Sequence, residues 1–177
     1  MIGQLSLKKA FEIEGWMSVR ELSLLADIVK DRKIIIEIGT FHGKSARAMA
    51  DNSIDECKIH CVDPWNYHIM WSNKTFQDVG LTDFGRFYCN LGDHIKKGKV
   101  EFHMMEWKDY DPDFKADFIF IDGDHGILSV KYDIYKALAY LSPGGILAGH
   151  DYNWPSVKHA VDSIIPNVKV EDTIWIA

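Results

Sequence analysis

The sequence predicts an α/β fold, a three-layer sandwich in which a mostly parallel sheet lies between two layers of helices. Two observations carry this. The run at residues 34–38 (IIIEI) is almost continuously apolar and β-branched, as in a strand buried on both faces of a parallel sheet. Further along, short apolar runs alternate with segments of helical period, the pattern of strand–helix–strand units. A length of 177 residues and a hydrophobic fraction of 47% suit a single domain with a sizeable core, here residues 1–177. Residues 1–32 are expected to form a helical segment and residues 33–177 the core of the fold.

In chain order, residues 18–30 (SVRELSLLADIVK) place leucines and isoleucine at helical spacing behind a capping box of Ser18 and Glu21. This helix should cross the sheet edge ahead of the first strand, with another short helix before it over the mouth of the site. Strand one, residues 34–38, is followed by Gly39 and Gly43, and a helix over residues 44–50 opened by Ser45. Residues 58–62 (KIHCV) read as strand two, ending at Asp63. Residues 64–80 lack a period and are rich in Trp, Tyr and Phe, the composition of a binding loop or lid. A helix over residues 82–97 shows one apolar face, and residues 100–105 form strand three, which leads to Glu106 and Trp107. Residues 117–122 (DFIFID) read as a buried strand ending in Gly123, Asp124 and His125. A helix over residues 129–141 is broken by SPGG at residues 142–145, and strand five, residues 146–149, ends in His150, Asp151 and Tyr152. A last helix over residues 154–165 and a pair of short strands within residues 168–176 close the chain.

The turn after strand one holds the first candidate site. Strand, glycine turn and helix N-terminus form the usual ligand pocket of an open α/β sheet, because free backbone N–H groups face the strand's carboxyl end. The spacing excludes two phosphate binders. A dinucleotide motif needs a glycine where Phe41 stands, and a P-loop needs one at Ile38. What remains is acidic-x-Gly-x-x-x-Gly: Glu37, Gly39 and Gly43. This pattern resembles motif I of the class I S-adenosylmethionine (SAM) methyltransferases, and EIGTFHGKSARAMA is similar to their catechol O-methyltransferase-like branch. SAM carries a sulfonium and an ammonium but no phosphate, so a carboxylate suits it and a full glycine cradle is unnecessary. The resemblance implies SAM as cofactor and a Rossmann-like sheet of seven strands, mostly parallel, with the last antiparallel. Candidate cofactor contacts are Glu37, Gly39, Thr40, Phe41, Gly43, Ser45, Asp63, Trp65, Glu106, Trp107 and Asp122. Asp63 lies 26 residues after Glu37 and would accept both hydroxyls of a ribose.

The second candidate site lies at the ends of strands four and five. Asp122, Asp124 and Asp151 offer hard oxygens to Mg2+ or another divalent metal, and an imidazole such as His125 suits a base working near neutral pH. FIDGDHGILSVKYDI followed by SPGGILAGHDY resembles the metal-dependent sugar and small-molecule O-methyltransferases related to the macrolide and macrocin enzymes. By that resemblance Asp122 and Asp151 are metal ligands and His125 is the base; Asp122 and His125 are thus the catalytic candidates, and His150, beside Asp151, is the third metal candidate. His150 departs from the pattern, which has an acid or amide there; imidazole favours zinc, iron or nickel over magnesium, so either the metal differs, or His150 turns away and the ion keeps an extra water, or no metal binds.

A net charge of −6 argues against a nucleic-acid partner, and no apolar run approaches the roughly 18 residues of a membrane span. The lysines at positions 96, 97 and 99 are expected to form a solvated helix end. Three cysteines without metal-type spacing suggest reduced thiols in the cytoplasm. His42, His60, His68, His94, His103 and His159 show no spacing that demands a site. The expected activity is methyl transfer from SAM to a hydroxyl of a sugar, phenol or secondary metabolite. Two alternatives remain open, a SAM- or nucleoside-binding protein without turnover and a hydroxylase-like relative using iron. The short chain leaves little for an acceptor cap, which a homodimer partner would supply.

Overall fold

The computed structural model describes residues 6–66 and 82–177. Helices α1 (Lys8–Glu12) and α2 (Val19–Ile28) precede strand β1 (Ile34–Ile38). The chain continues through α3 (Lys44–Asn52), β2 (Lys58–Val62), α4 (Asp83–Lys96) and β3 (Val100–His103). After β4 (Ala116–Ile121) come α5 (Ile127–Tyr140), β5 (Leu141–Gly149), α6 (Pro155–Asp162), β6 (Lys169–Glu171) and β7 (Ile174–Ile176). The strands form one seven-stranded sheet in the order β3-β2-β1-β4-β5-β7-β6. β7 runs antiparallel to both neighbours, and the pairs from β3 across to β5 are parallel. Chain order reverses between β1 and β4, and ligands of open α/β sheets bind at the carboxyl ends beside such a switch point.

Alternation along the central strands splits the core into two layers. Ile35, Phe118 and Phe120 join residues of α1 to α4, including Leu22, Met49 and Leu91, on one face. Ile36, Ile38, Ile119 and Ile121 join α5 and α6, through Ile134, Val157 and Val161, on the other. Continuous apolar strands are the consequence, because neither face of β1 or β4 meets water. Among the described residues, no helix is long and apolar enough to cross a membrane.

Local chemistry sets the helix ends. Ser18 Oγ accepts from Glu21 N at 3.3 Å while Glu21 Oε2 accepts from Ser18 N at 2.7 Å, so the expected capping box forms. Thr82 caps α4 through Gly85 N at 3.1 Å. Three elements differ from expectation. α3 is opened by Gly43, at φ 85°, and not by Ser45, which lies inside the first turn. The SPGG segment does not end the sheet-side helix in a free loop. Leu141 already pairs with Ala116, and the register then jumps to Phe118 with Ile146, so residues 142–145 bulge within β5. α2 does not merely cross the edge, since its Leu22, Leu25 and Ala26 are fully buried. Lys99 is also buried, with its Nζ donating to Ser53 O at 2.9 Å, and so is no part of a solvated patch.

Gly39 (φ 79°) joins the two halves of the sheet, since a Cβ there would sit 2.1 Å from the Asp122 carbonyl oxygen. Gly39→Ala should therefore cost about 2–4 kcal/mol, the sum of left-handed backbone strain and overpacking against backbone. Urea denaturation of the variant checks this; an unchanged midpoint would show that the β1 and β4 turns part easily.

Candidate functional site

At the carboxyl end of β1, Glu37 is fully buried and its Oε1 has no hydrogen-bond partner. Its other oxygen accepts a long contact from Cys61 Sγ, at 3.7 Å. Burial pushes the Glu37 carboxyl up to about 8, with the nearby Ser45 and Thr40 hydroxyls pulling the other way. Thr40 Oγ1 is likewise buried without a partner. Two orphaned polar atoms side by side in one turn are the mark of an absent polar ligand.

Asp63 has a different occupation from the one its position suggested. Its Oδ2 accepts from Thr40 N at 2.7 Å and Phe41 N at 2.8 Å, and its Oδ1 from Trp65 N at 2.6 Å. The carboxylate thus clamps the β1 turn to the end of β2 and holds Phe41 and Trp65 at positive φ, 49° and 47°. A ribose would have to share oxygens already used three times. Trp65 is not a wall of the site. It is 3% exposed, packs its ring 4.7 Å from Phe87, and donates its Nε1 to Phe41 O at 2.7 Å. The Phe41 ring stacks on His42 at 3.6 Å and approaches Trp16 at 5.1 Å. Glu106 is exposed, and Trp107 is buried in the α5–α6 layer with Lys136 Nζ 4.8 Å from its ring. Most of the aromatic segment expected to form a lid, with His68, lies outside the described residues.

The ends of β4 and β5 bring the second set together. His125 Nε2 lies 2.6 Å from Asp151 Oδ2, and the His125 ring stacks on Trp154 at 4.6 Å. His150 lies beneath, with Nδ1 3.4 Å from Asp122 Oδ1 and 3.2 Å from Asp151 Oδ2. On its other side, His150 Nε2 is 3.0 Å from Glu21 Oε1, which also accepts from the Thr173 hydroxyl. Burial alone would lower the His150 pKa, but hydrogen bonds to Asp122 and Asp151 outweigh it and raise it to about 11. The imidazole is a cation at neutral pH. Asp151 is held far below the usual carboxylate range: burial opposes this, and the bonds to His125 and His150 prevail. Glu21 is also lowered, its burial outweighed by Thr173, Ser18 and the His150 charge. The His125 pKa is raised, first by its bond to Asp151.

His150 is therefore not a free metal ligand, because both ring nitrogens face carboxylates. The side chains whose ligand atoms all lie within 4.8 Å of one another are instead Asp122, His125 and Asp151. Asp124 turns away to accept from Gly126 N at the start of α5.

A family model described as a methyltransferase domain matches residues 36–152, from the middle of β1 to just past the His150–Asp151 pair. The chain belongs to that family. In sequence, this methyltransferase domain is 30% identical over 144 residues to an uncharacterized protein of Acanthamoeba polyphaga mimivirus, covering 79% of the chain and 62% of that protein. The match thus spans under two thirds of that relative's length. In structure, it resembles an O-methyltransferase from Bacillus cereus in complex with SAH (TM-score 0.70, 16% identity, 96% of this chain and 88% of that one). It also resembles the O-methyltransferase TomG from Streptomyces achromogenes in complex with SAM (TM-score 0.65, 16% identity, 96% and 87%). At that identity the likeness shows the fold, that of the class I methyltransferases.

One member of the methyltransferase rim had no sequence signal as a site residue. Glu21 was legible as half of a capping box, yet its Oε1 reaches His150, 129 positions away. The imidazolium's stabilising effect follows its titration. With the folded pKa raised from 6.5 to about 11, its contribution is complete below about pH 6.5 and is lost as pH climbs towards 11. His150→Gln should lose roughly 3–5 kcal/mol near pH 6, because three carboxylates lose their buried cation. The gap to the parent chain should narrow as pH rises towards 10. Guanidinium melts at both pH values check this; a constant gap would mean that His150 is neutral in the fold.

Proposed function

We propose that the chain transfers the methyl group of SAM to a hydroxyl of a small molecule, of the sugar, phenol or secondary-metabolite class. The observation that supports this most is the contact of Gly39 with the Asp122 carbonyl, which joins the turn bearing orphaned Glu37 to the rim bearing His125 and Asp151. A buried, unpartnered acid suits a cationic ligand, and an imidazole backed by a carboxylate suits an acceptor with a proton to lose.

SAM, when bound, supplies a methyl carbon on a cationic sulfur for in-line displacement. Glu37 would ionise against its positive charge, giving up a proton that burial otherwise holds on the carboxyl to about pH 8. Asp151 engages His125 Nε2, so Nδ1 is the nitrogen left to take the acceptor's hydroxyl proton. Transfer of that methyl to the hydroxyl oxygen, with the carbon–sulfur bond broken, would leave a methyl ether, S-adenosylhomocysteine and the proton on His125. Asp151 stabilises the imidazolium so formed, and Trp154 fixes the ring plane.

A divalent ion is a second reading, carried by the 4.8 Å grouping of Asp122, His125 and Asp151. These residues would hold it, and its charge would acidify a bound hydroxyl. His125 would then be a ligand and no longer the base, and its bond to Asp151 would open. Full turnover in EDTA supports the base; turnover restored only by Mg2+ or Mn2+ supports the ligand.

Incubation with SAM and a panel of sugars and phenols should release S-adenosylhomocysteine. His125→Ala should lower that rate about 10²–10⁴-fold while leaving SAM affinity unchanged, the range for losing a general base. The rate should rise with pH through a value above 6.5, and Asp151→Asn should move that limb down. Calorimetry at pH 7 in buffers of different ionisation enthalpy should show proton release on SAM binding, absent in Glu37→Gln. No heat with SAM sinks the proposal, and heat without turnover would leave a binding protein.

A further inference from the structure

A second group of potential ligands lies away from the rim, on the open edge of the sheet. His60 on β2 is paired in register with Glu101 on β3, and Val62 with His103, so the two histidines stand diagonally across neighbouring strands on the same face. The His60 and His103 rings lie 5.4 Å apart and only 19° from parallel. Three polar atoms converge on one nitrogen, His60 Nδ1. His103 Nε2 is 3.1 Å away, Tyr110 Oη 3.3 Å and Glu101 Oε2 3.8 Å. A ring nitrogen has one proton or one lone pair in the ring plane, and so satisfies one such neighbour well. An ion at the centre would satisfy the two imidazoles and the carboxylate together.

We propose that His60, His103 and Glu101 form a binding site for a first-row divalent transition-metal ion of the zinc type. Ligands at about 2.0–2.1 Å from a tetrahedral ion stand about 3.3 Å from one another. The spacings of 3.1 and 3.8 Å at His60 Nδ1 bracket that value. The ligand atoms of all three residues lie within 4.8 Å of one another. Two imidazoles and one carboxylate select zinc, nickel or copper over magnesium or calcium. Burial lowers the pKa of His60 and of His103, which leaves both lone pairs available at neutral pH. Tyr110 is 7% exposed and its hydroxyl, pushed up to about 12 by burial, stays a neutral donor that closes the inner side. Phe114 packs 4.5 Å from the His60 ring and holds its orientation. The Glu101 side chain is 48% exposed, so an ion enters from solvent and keeps a water as its fourth ligand. Three residues on two paired strands give a rigid frame that shifts little on binding.

Cobalt is the probe, because a tetrahedral Co2+ site gives intense visible bands. The whole chain titrated with Co2+ should develop these bands with one-to-one stoichiometry, and Zn2+ should bleach them. The rim variant Asp151→Asn should keep them. His103→Ala should abolish them, weakening binding more than about a hundredfold, since loss of even an outer-shell partner costs about 10–100-fold. Glu101→Gln, half in water and safe for the fold, should weaken binding at least about tenfold. This keeps the test decisive if His103→Ala fails to fold. Bands that survive in both edge variants, or that are absent in the parent chain, would overturn the site and leave a packed pair of hydrogen-bonded histidines. Loss of the bands in Asp151→Asn alone would move the ion to the rim and overturn it equally.

Discussion

A buried imidazolium caged by carboxylates holds the functional end of this fold together. His150 touches Glu21 from α2, Asp122 at the end of β4 and its neighbour Asp151 after β5. Thr173, in the turn between β6 and β7, closes the cage through Glu21. Four separate parts of the chain thus meet at one charge. Pairing of this kind is weak as a source of net stability, because each ion gives up water to enter, but removing one partner leaves the others exposed to the full cost of burial. The cage therefore acts chiefly as a register, fixing where α2 and the last hairpin sit relative to the rim. It also keeps Asp151 ionised beside His125, on which the proposed chemistry depends.

The two halves of the crevice handle charge in opposite ways. On the β1 side an acid is buried with only the Ser45 and Thr40 hydroxyls to offset it, and burial holds its proton to about pH 8. On the β5 side the acids are already matched by a cation of the protein's own. A neutral pocket for a charged ligand next to a prepaired base is a sensible division for methyl transfer from a sulfonium. On the proposed reading, the ligand's positive charge would ionise Glu37, while His125 would need none of that charge to stay oriented.

What the sequence disclosed follows a physical line. The β1 run, the Ser18–Glu21 box and the Thr82 end of α4 depend on neighbours within a few positions, and each formed where the residues suggested. The acidic strand ends were legible too, since a run such as DGDH after an apolar strand can only lie at the rim. The roles within the rim were not. Asp63 stands where a ribose contact was expected, yet it spends its oxygens on the backbone of Thr40, Phe41 and Trp65. His150 read as a ligand because of the residue beside it, whereas its partner Glu21 comes from a helix that no local pattern ties to β5. Trp65 read as a ligand wall because exposed and buried indoles look alike in a sequence. Pairings across more than a hundred positions are set by topology, and topology became definite only with the strand order.

The same electrostatic reasoning separates the two places where a metal ion could sit. At the rim, two of the three candidate ligands already share a cation: His150 lies 3.4 Å from Asp122 Oδ1 and 3.2 Å from the Asp151 oxygen that also receives His125. An incoming divalent ion would meet like charge there and would have to displace a proton from the dyad. At the β2–β3 edge the imidazoles are held neutral by burial and the group has one carboxylate with no lysine or arginine bonded to it among the described residues. Positive charge entering that edge is drawn in by Glu101 and opposed by Lys58, whose charge reaches His60 from the start of β2. Of the two sites, the rim is therefore better suited to the proposed proton transfer, and the edge to the proposed ion.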